Sequence, residues 1–151
     1  MTIQVVKQTF IENIYKNFYD IISAIGGAHS VFYDKIFPCM PDVELNSLAS
    51  YPMIILETPQ VDMNQFDFGK NVSDGTVNIT IYTTSAKSRD QLMDMLIYAL
   101  ETNKGVFANM NLHQVNFNSI ITNEVARGKI KVHMATLPVI FKFYSQKTYA
   151  Y

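Results

Sequence analysis

Long apolar runs, paired cysteines and charge are what this sequence has least of. No segment approaches the roughly 18 consecutive apolar residues of a membrane-spanning helix. The N-terminus MTIQVVKQTF has neither the basic start nor the continuous apolar stretch of a secretory signal. A membrane location is therefore not expected, and a cytoplasm is the expected place of synthesis and use. The single cysteine, Cys39, excludes an intrachain disulfide framework and fits a reducing compartment. Charged residues make up 17% of the 151, below the roughly 25% usual for soluble domains. With a formal net charge of -1, the chain has no long-range field to draw it to nucleic acid or to an anionic membrane. A surface this poor in charge is expected to be partly covered by protein.

Chemical motifs are equally scarce. His29, His113 and His133 stand apart in sequence, without a partner at i+4 or a Cys-x-x-Cys pair, although His113 and His133 could meet across a hairpin. Zinc needs three or four convergent ligands, so the histidines read as structural or surface residues. Cys39 sits between Pro38 and Met40, with no activating base or helix start. Asp62, Asp67 and Asp74 are unevenly spaced and lack the ligand pattern of a calcium loop. The glycines form neither G-x-G-x-x-G nor G-x-x-x-x-G-K-[ST], so phosphate cradling has no support. Lys129, Lys131 and His133 give one strand a modest basic face, too small for a nucleic-acid footprint. Expected from this are no catalysis, no metal and no cofactor.

What the chain does have is periodicity. In Gly75 to Thr102, Val77, Ile79 and Ile81 alternate with Thr76, Asn78 and Thr80, the period of a strand with one face toward a core. Ser85 to Lys87 is then a polar turn. Ser88, followed by Gln91, fits the N-cap of a helix with Asp90 in its first turn. Leu92, Met95, Leu96, Ala99 and Leu100 recur on one helical face, with Asp94, Tyr98 and Glu101 elsewhere. A longer stripe, Ile3, Val6, Phe10, Ile14, Phe18, Ile21 and Ile25, predicts a long first helix closed by Gly26-Gly27, with Tyr15 and Tyr19 off the stripe.

The stretch from Ala28 to Tyr51 has little periodicity, with a short extended piece around Val31 to Ile36 and one helical turn around Asn46 to Ser50. Met53 to Glu57, between Pro52 and Pro59, reads as a buried strand. Lys104-Gly105 ends the helical pattern, and Val106 to Leu112 reads as a crossing to a strand with Val115, Phe117 and Ile121 on one parity. Arg127-Gly128-Lys129 turns the chain into the last strand. There Ile130, Val132 and Met134 occupy even positions but Leu137, Val139, Phe141 and Phe143 odd ones. Such a phase flip requires a bulge, a bend or a change of partner, and Pro138 stands in it. The expected fold is α+β, a mostly antiparallel sheet of four to five strands packed by a long N-terminal helix and a central amphipathic helix. Residues 1–151 read as a single α/β domain with a protruding loop or hairpin at about 60–75. The expected core runs through Ile3, Phe10, Ile14, Ile54, Val77, Ile79, Ile81, Leu92, Leu96, Leu100, Val115, Phe117, Val132 and Phe141.

The order of these pieces, with the strand YPMIILE, the strand and helix VNITIYTTSAKSRDQLMDMLIYAL and the closing strand KIKVHMATLPVIFKFY, resembles the tail terminator, or tail-completion, proteins of long-tailed bacteriophages. The resemblance covers Ile3 to about Tyr144 at the level of pattern. It implies a structural virion protein at the head-proximal end of a tail, assembled in the host cytoplasm as a homo-oligomeric ring, commonly a hexamer. The ring would cap the tail tube protein and meet the head-tail connector protein. The family offers no catalytic residue to carry over. The chain departs from it in a long extra loop around Met63 to Phe68. Met63, Phe66 and Phe68 in that loop are large apolar residues among Asp, Asn and Gly, and are expected to meet a neighbouring subunit or the tube, or else to fold back on their own domain. The competing reading is a small-ligand-binding or regulatory α/β module with a pocket lined by Tyr and Phe. An enzyme subunit is a third reading.

Overall fold

A computed structural model describes residues 10–25, 32, 35–41, 48–67, 70–109, 112–127 and 129–146. Its architecture is a mostly antiparallel seven-stranded sheet with helices against it. The elements run α1 (Phe10–Ser23), β1 (Ile36–Phe37), a 3-10 turn (Leu48–Ser50), β2 (Met53–Leu56), β3 (Gln60–Asp67), β4 (Lys70–Thr83), α2 (Ala86–Thr102), α3 (Lys104–Asn109), β5 (Leu112–Phe117), β6 (Ile121–Arg127) and β7 (Ile130–Gln146). Seven strands stand where four to five were expected. The stretch after Pro59 pairs as β3, β1 adds a short strand, and the strand read as reaching from Val115 to Ile121 is two strands, β5 and β6.

Two long strands form the spine. β7, of 17 residues, would span roughly 55 Å at the usual rise per residue, and pairs with β4 without a break from Lys70↔Gln146 to Thr83↔His133. Each spine strand carries two short strands on its outer edge. β2 and β3 lie along β4, and β6 and β5 lie along β7, while β1 runs parallel to β2 at one margin. The phase flip in the last strand coincides with a change of lateral partner. Its partner changes from β6, against residues 130–136, to β5, which begins to pair at Val139. The strand itself never bulges against β4; the covered face changes instead. Ala135, Leu137, Val139 and Phe141 join the main core, whereas Val132, on the other face, packs with Tyr51 and Met53 in a smaller cluster. Pro138 sits between the two partners. Its carbonyl accepts Asn118 N–H at 2.9 Å, so its missing donor faces that junction and removes no bond to β4.

The main core lies between one sheet face and the helices. Ile14, Phe18, Ile21 and Ile22 from the first helix meet Leu92, Met93, Leu96 and Leu100 from α2, with Phe107 of α3. Met93 takes the place expected of Met95, which is exposed. Ile54, Val77, Ile79, Ile81, Val115 and Phe141 are buried as expected, and Phe117 packs against the cluster while partly exposed. Ile3, Val6 and Gly26-Gly27 lie outside the described residues, as does the side chain of Phe10, so the described helix begins at Phe10. Its last turn ends at Ser23.

Two helix ends differ from the sequence reading. The N-cap of α2 is Ser85, not Ser88: its extended backbone ends the strand, Thr83 Oγ1 donates to its carbonyl at 2.8 Å, and its Oγ accepts Ser88 N–H at 3.1 Å. Asp90 consequently lies beyond the first turn and contacts Arg89 Nε at 3.0 Å. Lys104-Gly105 does not open a loop. Asn103 closes α2, with its Nδ2 on Ala99 O at 2.6 Å, and its own carbonyl accepts Val106 N–H at 3.0 Å to start the short α3. That turn buries Phe107 against Phe18, ring centroids 4.9 Å apart.

Gly75 is required by close approach. It faces Phe141 across the β4–β7 ladder, and a Cβ at Gly75 would overlap the Phe141 ring. Phe141 is fully buried and cannot swing into solvent. Gly75→Ala is expected to cost about 1 to 3 kcal/mol, the range for overpacking a filled core. Denaturant melts read the cost, and adding Phe141→Leu should recover part of it.

Candidate assembly surface

Among the described residues the sheet ends in strands paired on one side only, and these margins are not equivalent. β1 has two residues. β5 is broken by a register shift between His113 and Asn116, with Gln114 at φ 53, the kind of bulge that blunts an edge. β3 runs in register with β4 from Gln60 to Gln65 before shifting. β6 runs in register with β7 through all seven residues, without bulge or proline. β3 lies outside β4 and β6 outside β7, so two regular edges occupy opposite margins of one sheet.

Which backbone groups these edges offer follows from parity. In an antiparallel strand the N–H and C=O of one residue point to the same side, and the side alternates. Since the Pro138 carbonyl points away from β4, the even residues of β7 face β5 and β6. Ile121, Asn123, Val125 and Arg127, opposite even residues of β7, are therefore bound into the ladder, while Thr122, Glu124 and Ala126 turn their backbone groups outward. The Glu124 N–H accordingly goes to the Asn123 Oδ1 at 2.8 Å. The same reasoning holds on the other margin, where Glu57 N–H bonds the Asn78 carbonyl. Even residues of β4 thus face β3, and Val61, Met63 and Gln65 turn outward.

Charge gathers at the free end of the β6–β7 hairpin. Glu124 Oε2 accepts from Lys131 Nζ at 2.8 Å, and its Oε1 lies 3.2 Å from His133 Nδ1. The hydrogen bond from Lys131 holds the Glu124 carboxyl below the usual carboxylate range, with the charges of Lys131, His133 and Arg89 adding to it. The approach of His133 is not aligned as a hydrogen bond, and its buried Nδ1 has no other partner among the described residues.

The structure separates most of the residues weighed for chemistry. His113 pairs in register with Lys142 and His133 with Thr83 and Glu124, so the two histidines stand far apart along β7 and do not meet. His29 and Phe68 lie outside the described residues. Met63 and Phe66 belong to β3, but their side chains, like those of Asp62 and Asp67, lie outside the described residues. Asp74 is exposed, 3.8 Å from Lys142 Nζ. Cys39 is free and exposed. Among the described residues no three of His, Cys, Asp or Glu gather as metal ligands. A cleft of about 250 Å³ opens between Tyr51-Pro52, Thr83-Thr84 and the first turns of α2, with Met95 at its wall. Tyr51 is the single aromatic residue among the described residues that line it.

Large apolar side chains are exposed on several elements. Tyr98 on α2 is 72% exposed, Leu48 68% and Ile121 63%, with Ile120 and Ile140 also open. Ile121, expected inside with Val115 and Phe117, begins β6 on the opposite sheet face from Leu137. The polar pair Asn118-Ser119, a loop signal, stands where the sequence reading ran one strand through.

No protein-family model matches the chain, and no curated protein matches it. Among solved structures it is similar to a chain from the "Virion of native gene transfer agent (GTA) particle", at 10% identity and a TM-score of 0.48, over 89% of this chain and 99% of that one.

Proposed function

We propose that this chain is a structural virion protein, a tail terminator that closes with copies of itself into a ring, commonly of six. The ring caps the tail tube and meets the head-tail connector. The observation that carries this reading is the pair of regular strand edges, open among the described residues, on opposite margins of one sheet. A subunit that joins its copies head to tail needs two different surfaces, because identical patches pair as closed dimers. Its low charge and its exposed Tyr98, Leu48 and Ile121 fit a surface covered by neighbours. The segments that carry the resemblance form β2, β4, α2 and β7 in the order it implies.

The 60–75 hairpin is the arm of this reading, and Met63, Phe66 and Phe68 its contact residues. Phe66→Ser with Phe68→Ser should leave the melting temperature unchanged and abolish assembly, measured by native mass and by capture on purified tail tubes. A lower melting temperature would place the rings in the core. No change in either measurement would remove the arm from the interface.

A further inference from the structure

We propose that the ring is closed by strand addition, β6 of one copy taking β3 of the next as its neighbour, so that the sheet continues from subunit to subunit. The inference rests on the ring reading and names its interface. Unpaired N–H and C=O groups along a regular strand edge are a template for another strand. Of the four margins, β1 is too short and β5 is bulged, which leaves β6 and β3. Their outward groups come from three residues each: Thr122, Glu124 and Ala126 on one, Val61, Met63 and Gln65 on the other, the Glu124 N–H being held by the Oδ1 of Asn123 beside it, which an added strand would displace.

Charge selects the occupant. β3 carries Asp62 and Asp67 and no cation, with Lys70 opposite Asp67 on β4, whereas β6 carries Arg127 and Glu124, with Lys129 and Lys131 on the turn and strand that follow. Pairing β3 with itself gathers carboxylates only. Pairing β6 with itself about its centre sets Glu124 against Glu124, and like charges directly opposite destabilise a sheet. Pairing β6 with β3 brings unlike charges together. It also uses a different edge on each side of the subunit, as a head-to-tail contact requires.

Proline at an outward position removes a donor from the edge while keeping the ladder bonds behind it, as Pro138 does in this chain. Thr122→Pro disables the β6 edge and Val61→Pro the β3 edge. Both full-length variants should melt within a few degrees of the parent, and each alone should run as a monomer by native mass. Mixed in equal amounts, they should form one-to-one dimers and nothing larger, through the one intact β6 and the one intact β3. A ring formed by either folded variant, or a mixture that stays monomeric at concentrations where the parent is fully assembled, overturns the proposal. If Thr122→Pro melts early, Ala126→Pro repeats the test at the far end of the strand. A monomeric parent would overturn the ring reading itself, and the interface with it, whereas a ring in the variants overturns the interface alone.

Discussion

Phe18→Ala should lower stability by about 3 to 5 kcal/mol, the range for truncating a buried aromatic. For a chain of this length that is a fall in melting temperature of about 6 to 20 °C. Phe18 has no exposed surface, and it is where three elements meet. From α1 its ring lies 4.9 Å from Phe107 of α3 and 6.4 Å from Phe141 of β7, both tilted. Tilted aromatic pairs contribute about 0.5 to 1.5 kcal/mol beyond the area they bury. Alanine would leave a void bounded by two other rings, and neither Phe107 nor Phe141 can relax outward, since both are themselves buried. A double-mutant cycle with Phe107→Ala should show a coupling within that range, because the second truncation removes a contact the first has already broken. Additive losses would mean that α1 does not pack on α3 through this pair.

Leu96→Ala should cost about 2 to 5 kcal/mol. Leu96 is the middle of the Leu92, Leu96, Leu100 row, has no exposed surface, and faces the sheet with Ile79 and Ile81 in the same cluster. It therefore reports whether α2 lies on the sheet by this face. Tyr98→Ala, two positions along and 72% exposed, is the matched control and should change stability by less than about 0.5 kcal/mol. Equal effects at the two positions would mean that the helix is rotated. If Tyr98 instead meets a neighbouring copy, its replacement lowers assembly while leaving the melting of the dissociated chain alone.

Long periodic segments were readable from sequence because burial repeats along them. Val77, Ile79 and Ile81 announced β4, and Leu92, Leu96 and Leu100 announced α2, each by a period that only one backbone geometry satisfies. Choices between neighbouring residues were not readable. Met93 and Met95 flank the same leucine row, and only the tertiary packing puts Met93 in the main core while Met95 lines the cleft beside Tyr51. Ser85 and Ser88 both precede the helix with similar spacing. The bond from Thr83 to the Ser85 carbonyl decides between them, and it exists only once the strand has formed.

Short elements were harder still. Phe107 sits in a six-residue helix, too brief to show a period. β5 hides its alternation behind the Gln114 bulge. The phase flip in β7 was visible, and a change of partner was among its possible causes, but the change of covered face required the whole sheet. The proposed interface is the least legible part. A free strand edge is a property of topology, and nothing in Ile121 to Arg127 distinguishes a strand with two neighbours from one with a single neighbour.

The proposed ring requires that this chain assemble with itself through two different edges. Native mass spectrometry of the full-length protein at micromolar concentration tests that most directly. The prediction is one dominant closed species at a whole-number multiple of the 17.2 kDa chain, about six-fold, with no ladder of larger open forms. A 17.2 kDa monomer that persists as concentration is raised, or a dimer that grows no further, would contradict it.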